Sequence, residues 1–174
     1  MHIDPDGLLT TARYIPSPNC DARPDDAPPY LIVIHNISLP PNEYGGEAIV
    51  QLFTNGLDPT EHPYYATLQD LKVSSHFLIR RNGELLQFVP CTQRAWHAGA
   101  SHWQGRERCN DFSIGIELEG SDFEPFTDAQ YETLTQLTQA LRSTYPIVDM
   151  VGHSDIAPGR KTDPGPYFDW ARLY

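Results

Sequence analysis

A continuous run of apolar residues predicts the central strand of the fold. Residues 30–36 read YLIVIHN, and Leu, Ile and Val without polar alternation are typical of a strand buried on both faces. Residues 147–151 predict a last strand, with Gly152 and His153 at its exit. We therefore expect His35 and His153 to lie where two strands leave the core, at one rim of a sheet. For His35 alone, a histidine hydrogen-bonded at a strand end is the ordinary alternative.

Alternating residues predict a different kind of strand at 112–120, which reads FSIGIELEG. A period of two is typical of a half-buried strand, so Glu117 and Glu119 project from one face, beside the space that Gly115 leaves. Glutamates that face solvent are the ordinary interpretation of this pattern. They gain a chemical role only if their face looks into a functional site.

Two further strand-like runs, at 73–80 and 84–90, predict a β-hairpin. The residues between them include Asn82-Gly83, and Asn-Gly between apolar runs is a strong turn signal. His76 lies inside the first run. We interpret it as a core histidine, or one that supports a ligand, rather than as a ligand itself.

The clearest helix covers residues 127–145. Thr127 followed by Gln130 makes a capping box, and Pro146 stops the helix. Its apolar stripe consists of Tyr131, Leu134, Leu137, Thr138 and Leu141. We expect the stripe to cover one face of the sheet, and we see no chemistry on this helix.

Two segments lack a strong periodic pattern. Residues 1–29 are rich in Pro and Asp and predict an irregular N-terminal arm on the surface, with a short strand near 8–15. Residues 37–73 contain a short helix near 47–54 and several aromatic side chains. A stretch of this length with little structure is usually functional or disordered, and the aromatics favour the wall of a pocket.

The loop at 91–111 is polar and aromatic. Trp96, His97 and Trp103 stand beside Arg106 and Arg108, which suits a loop that stacks on a ligand and binds an anion. Indoles buried by ordinary packing are an equal alternative.

Length, charge and cysteine count narrow the class of protein. With 174 residues the chain fits one domain, residues 1–174. Its formal charge of −11 excludes non-specific nucleic-acid binding. No secretory signal and no apolar run near ~20 residues is present, so we expect no membrane partner. Three widely spaced cysteines favour a reducing compartment, and we expect a cytoplasmic location.

The basic residues are unevenly distributed. Five arginines, Arg80, Arg81, Arg94, Arg106 and Arg108, fall within one third of the chain. A local basic cluster on an acidic protein favours a small anionic ligand over a polyanion. Solvated surface arginines are an even alternative.

Residues 151–166, VGHSDIAPGRKTDPGP, hold the candidate chemistry. Pro and Gly break any helix through this segment, but a bent loop can bring His153 and Asp163 to one point. Zinc accepts both ligand types, and a catalytic site needs a third protein ligand and a position for water. His35 is the best third candidate. Lys161 would lie close to the metal, and Glu117 or Glu119 would be the base.

Six motifs distributed along the sequence resemble those of a known family. The motifs are VIHNISLPP, HPYY, SHFLIRRNGELLQFVP, RAWHAG, GRERCNDFSIGIELEG and GHSDIAPGRKTDPGPYFDW. Together they are similar to the zinc N-acetylmuramoyl-L-alanine amidases, and most of all to the AmpD type, which acts on 1,6-anhydro-N-acetylmuramyl-L-alanine. The resemblance implies an α/β (α+β) fold with a mixed central β-sheet flanked by helices, similar to peptidoglycan-recognition proteins.

The resemblance also implies a role for each site residue. It implies Zn²⁺ held by His35, His153 and Asp163, selects Glu117 over Glu119 as the base, and assigns Lys161 to the transition state. The implied substrate-binding residues are Asn36, Tyr64, Lys72, Trp96, His97 and Arg108. Lys72 stands where this type is expected to have arginine, and lysine lacks the bidentate fork.

We therefore predict a zinc amidase that cleaves the lactyl–L-alanine amide of muropeptides released from the cell wall, for recycling. We expect a monomer whose partner is a small muropeptide. One rival is a non-catalytic peptidoglycan-binding module of the same fold. The other is a secreted or phage-borne amidase that acts on intact wall.

Overall fold

Ten strands and four helices make up the computed structural model, which describes residues 1–174. The strands are β1 (Arg13–Tyr14), β2 (Cys20–Ala22), β3 (Leu31–Ile37), β4 (Phe77–Ile79), β5 (Leu85–Gln87), β6 (Gln93–Ala95), β7 (His102–Trp103), β8 (Arg106–Glu107), β9 (Ser113–Glu119) and β10 (Asp149–Gly152). The helices are α1 (Ala48–Phe53), α2 (Pro63–Ala66), α3 (Asp128–Thr144) and α4 (His153–Ile156).

Six of the strands form one mixed sheet in the order β1-β5-β4-β9-β3-β10. Only β4 and β5 pair antiparallel within it, and the other neighbours pair parallel. Two small antiparallel ribbons, β2 with β6 and β7 with β8, lie outside this sheet. The predicted fold class, a mixed central sheet flanked by helices, is confirmed. None of the helices combines the length and the apolar character needed to span a membrane.

Apolar side chains cover both faces of the sheet. On one face the stripe of α3 packs on alternate residues of β3 and β9; this cluster includes Leu134, Leu137, Leu141, Ile32, Ile34, Ile114 and Ile116. On the other face α1 packs against β4 and β5; that cluster includes Ile49, Phe53, Leu78, Leu86 and Phe88. Burial on both sides explains why β3 reads as an unbroken apolar run.

One prediction about strands holds with a small difference, and another is wrong. His35 is the last buried residue of β3, so it lies where the strand leaves the core, and Asn36 and Ile37 continue the parallel pairing with β9 beyond it. The half-buried strand at 112–120 is buried on both faces. Arg80 covers Glu119 and the ring of His97 fills the space beside Gly115, so this space is not empty.

The remaining elements follow the predicted pattern with local differences. The hairpin turn is confirmed: Gly83 has a φ of +85° and its N–H donates to the carbonyl of Arg80. The strand predicted near 8–15 and the helix near 47–54 are present as β1 and α1. The N-terminal segment is less irregular than expected, because β2 pairs with β6 and Arg23 is buried. Helix α2 was not predicted.

Gln130 joins α3 to the sheet as well as capping it. The predicted capping box is confirmed, since Thr127 Oγ1 accepts from the N–H of Gln130 and Gln130 Oε1 accepts from the N–H of Thr127. In addition, Gln130 Nε2 donates to the carbonyls of Ile79 and Glu119, at 3.2 and 2.9 Å. This fully buried amide therefore ties the start of α3 to the ends of β4 and β9.

We expect Gln130→Ala to lower the free energy of unfolding by about 2–3 kcal/mol, because a helix cap is lost and two buried carbonyls lose a donor. Urea denaturation monitored by circular dichroism measures this change. Gln136→Ala is the matched control on the exposed side of α3, with an expected change within about 0.5 kcal/mol. Equal losses in the two variants would contradict the role of Gln130.

Candidate metal centre

Parallel pairing of three neighbouring strands brings the candidate residues together. His35 in β3 stands in register with Glu117 in β9, and alternation places both side chains on the same face of the sheet. On its other side β3 pairs with β10, and His153 is the first residue of α4, directly after β10. His35 therefore lies between Glu117 and His153.

The segment after α4 carries Asp163 back to this point. The N–H of Ser154 donates to the carbonyl of Asp163 at 3.0 Å, which fixes the return of the chain. Gly152 permits the close approach, because a Cβ at this position would lie 2.8 Å from Cδ of Pro164. The predicted bent loop is confirmed, and the helix that precedes it ends before the first proline.

Three donor atoms converge at the predicted metal site. The distance from Nδ1 of His35 is 2.9 Å to Nδ1 of His153 and 3.0 Å to Oδ2 of Asp163. The third side of the triangle, from His153 to Asp163, is 3.1 Å. Ligands placed ~2.0–2.1 Å from a tetrahedral zinc ion lie about 3.3 Å apart. The donor set and its spacing therefore fit Zn²⁺.

The surroundings favour the protonation states that a metal needs. Burial lowers the pKa of His35 below its ordinary value, so its imidazole is neutral near pH 7. Burial disfavours the charged form of Asp163, but the neighbouring His153 and His35 side chains outweigh this effect and lower its pKa. Nε2 of His153 lies 3.0 Å from the carbonyl of Ala98 and donates to it, which leaves Nδ1 free to bind.

Glu117 is the one buried carboxylate here with an unused oxygen. Its Oε1 lies 4.0 Å from Nδ1 of His35, while Oε2 is buried without a hydrogen-bond partner. Burial raises the pKa of Glu117 well above its ordinary value, and the negative charge of Asp163 raises it further, against the opposing effect of Lys161. Such a group can take up a proton and hold it.

These groups open into a cavity of about 420 Å³. Nine of the predicted site residues line it: His35, Asn36, Tyr64, Trp96, His97, Glu117, His153, Lys161 and Asp163. Leu52, Phe53 and Leu68, from the segment predicted as a pocket wall, line its apolar side. The cavity thus joins candidate metal ligands, a proton acceptor, a cation and aromatic surface.

Comparison with known proteins agrees with this geometry. The family of N-acetylmuramoyl-L-alanine amidases (Amidase_2) matches residues 25–166. The 1,6-anhydro-N-acetylmuramyl-L-alanine amidase AmpD of Escherichia coli K12 is 61% identical over 169 residues, which are 96% of this chain and 92% of that protein. The chain belongs to the N-acetylmuramoyl-L-alanine amidase family.

Solved structures of relatives have the same fold as this amidase. A crystal structure of a selenomethionine AmpD derivative has a TM-score of 0.97 at 60% identity, and the match covers 99% of this chain and 97% of that one. The amidase AmiD of E. coli, solved with anhydro-N-acetylmuramic acid-L-Ala-D-γ-Glu-L-Lys, has a TM-score of 0.62 at 34% identity. That match covers 98% of this chain and 63% of AmiD.

Two residues predicted to bind substrate lie outside the main cavity of the amidase. Lys72 lines a neighbouring depression together with Trp96 and His97. The side chain of Arg108 is 72% exposed, lies 3.7 Å from Asp111, and lines a separate cavity. Arg160, which the sequence analysis missed, lines the main cavity and both of these depressions.

Asp122 is a second residue that the sequence analysis missed. Its Oδ1 accepts from Nδ2 of Asn36 at 2.7 Å, and its Oδ2 accepts from the hydroxyl of Thr162. Nδ2 of Asn36 also donates to the carbonyl of Pro164 at 3.1 Å. Asn36 therefore donates one hydrogen bond to Asp122 and one to the loop that carries Asp163. No local pattern predicts such a contact.

We expect Asp122→Ala to loosen the loop that carries Lys161 and Asp163, because two hydrogen bonds to a carboxylate are lost. Hydrogen exchange of the amides in residues 161–165 should quicken by about tenfold or more, measured by mass spectrometry. Asp128→Ala removes the same charge from the start of α3 and should leave this loop unchanged. Identical exchange in both variants would refute the anchoring role.

Proposed function

We propose that this amidase is zinc-dependent and hydrolyses the amide between the lactyl group of 1,6-anhydro-N-acetylmuramic acid and L-alanine. The printed names of its relatives at about 60% identity support this substrate. So does the muropeptide bound in the complex of AmiD, which is 34% identical to this chain where the two align. The bond that breaks is the C–N bond of a secondary amide.

One observation carries the proposal. Three ligand-type atoms converge within 3.1 Å of one another, and Glu117, a buried carboxylate with one oxygen that has no hydrogen-bond partner, lines the same cavity. A binding module needs neither feature. Buried polar atoms are nearly always satisfied in proteins, and exceptions are frequent at catalytic sites.

The metal site is assigned to three residues. His35, His153 and Asp163 would hold Zn²⁺, which, when bound, supplies Lewis acidity that acidifies a water molecule and polarises a carbonyl. Two neutral imidazoles and one carboxylate leave a position for that water. These side chains are buried or nearly so, so the site is shielded from bulk solvent.

Glu117 moves the proton. Its carboxylate takes a proton from water as the water oxygen bonds to the amide carbon. The raised pKa of Glu117 lets the carboxyl keep that proton until the C–N bond breaks. The proton then passes to the nitrogen of L-alanine, which leaves as an amine, and the new lactyl carboxyl group releases the second proton of the water to solvent.

Lys161 contributes positive charge to the same cavity. It lies two residues before Asp163, and its amide is held by the carbonyl of Ala157 at 3.0 Å. The ammonium group donates to the oxygen of the scissile carbonyl, where negative charge develops during attack. Tyr64 and Trp96, in the cavity wall, provide apolar surface for the sugar and the stem peptide.

A cytoplasmic role in recycling wall fragments is part of the proposal. The three cysteines are free, and two of them are buried, which suits a reducing compartment. A 1,6-anhydro sugar marks a fragment already released from the wall, so its amidase acts after lysis of the glycan strand.

We expect Glu117→Gln to lower kcat by about 10²- to 10⁴-fold with zinc content unchanged, because the amide has the same shape and cannot accept the proton. Turnover of an anhydro-muropeptide and elemental analysis for zinc measure the two quantities. Glu119→Gln is the matched control on the same strand face; it should reduce stability through Arg80 with little change in kcat. Loss of zinc from Glu117→Gln would show that Glu117 is a ligand instead.

We expect a chelator to abolish activity and added Zn²⁺ to restore it. Mass spectrometry of the products should show a free stem peptide and 1,6-anhydro-N-acetylmuramic acid, from soluble anhydro-muropeptides much faster than from intact sacculi. A chain that binds muropeptide without cleaving it would be the rival binding module. Equal rates on sacculi would favour an enzyme that acts on intact wall.

A further inference from the structure

His97 lies next to His35 in the wall of the cavity. Only 8% of the residue is exposed. Its ring occupies the space left by Gly115, where a Cβ would lie 2.5 Å from Cγ of the imidazole. Asn110 Oδ1 accepts from the backbone N–H of His97 at 3.1 Å. The backbone of His97 is thus held by Asn110, and its ring packs against β9 at Gly115.

Both ring nitrogens of His97 are used inside the protein. Nδ1 lies 2.9 Å from Nε2 of His35, and Nε2 lies 3.0 Å from Oγ of Ser113. Neither nitrogen contacts a carboxylate. With both nitrogens occupied, His97 has no polar ring atom left for a substrate.

The direction of these hydrogen bonds follows from the last bond of the series, which Ser113 makes. Ser113 Oγ lies 2.6 Å from the carbonyl of Cys109, and a carbonyl only accepts, so the hydroxyl proton points there. Ser113 must then accept from Nε2–H of His97, which leaves Nδ1 of His97 with a lone pair. Nε2 of His35 must therefore carry a proton and donate it to His97.

We propose that His97 and Ser113 are positioning residues that hold His35 in the Nε2–H tautomer and so keep its Nδ1 unprotonated and aimed at the metal site. The inference rests on the proposed zinc site and replaces the expectation that His97 binds substrate. His153 receives the same support from the backbone carbonyl of Ala98. For His35 the support comes through side chains, which can be exchanged.

Two substitutions of similar size separate this role from packing. The side-chain carbonyl of asparagine can take the place of Nδ1 and accept from His35, while leucine cannot accept. We expect His97→Leu to weaken zinc binding by about 10- to 100-fold, the usual effect of losing such a partner. His97→Asn should stay within about threefold of the unchanged protein. Competition with a chromogenic chelator measures both.

Tautomers provide a readout that a packing role would not change. In the metal-free protein, ¹⁵N shifts of the imidazoles should show His35 and His97 both protonated at Nε2. Ser113→Ala removes the acceptor of the His97 Nε2–H and introduces no bulk, so it tests the inference even if His97→Leu fails to fold. In Ser113→Ala we expect mixed tautomers at His97 and weaker zinc binding.

The outcomes distinguish this inference from the proposed function. If the unchanged protein binds no zinc, the proposed function fails, and the positioning role of His97 and Ser113 fails with it. If the unchanged protein binds zinc and His97→Leu binds it equally well, only the positioning role is overturned. Equal losses in His97→Asn and His97→Leu, or an Nδ1–H tautomer at His97 in the unchanged protein, would also overturn it.

Discussion

The parallel register between β3 and β9 is the constraint on which the site depends. It sets His35 beside Glu117 on one face of the sheet, while Ile34 and Ile116 point to the core under α3. A slip of one residue would send His35 into that core and an isoleucine into the cavity. Because both faces are filled with closely packed side chains, such a slip would cost much of the stability of the domain.

Nearly every buried polar side-chain atom around the site has a hydrogen-bond partner. Arg23, fully enclosed, donates to the carbonyls of Cys91, Asn110, Asp111 and Ser113, so it ties the N-terminal segment to the loop behind His97. Burial lowers the pKa of His76 to about 3, and this neutral ring contacts the same guanidinium. In contrast, Oε2 of Glu117 is one of only two buried side-chain polar atoms that have no hydrogen-bond partner. Glu117 also lines the cavity beside the three ligand-type side chains.

The sequence predicted the periodic elements and the ligand types, but not the contacts made at long range. The apolar run of β3 and the capping box of α3 are local signals, and both are confirmed. Where β3 stops depends on how far β9 continues beside it, so the strand extends two residues beyond His35, although His35 is its last buried residue. Likewise, the glutamates of β9 were expected to face solvent, because nothing in FSIGIELEG indicates that Arg80 and His97 cover that face. Pairing between β2 and β6 spans about 70 residues and has no local signature.

Alternate positions of β9 show how one strand face organises the whole centre. Ser113 accepts from His97, Gly115 admits the ring, Glu117 faces the cavity and Glu119 pairs with Arg80 at 3.1 Å. In the proposed centre, the first two positions act on the metal site through His35, and the third acts on the reacting groups directly. A side chain at Gly115 would displace His97 and so disturb His35 without touching it. The small residues of this strand are therefore as much a part of the proposed centre as its carboxylate, since they position His35 from the same backbone that carries Glu117.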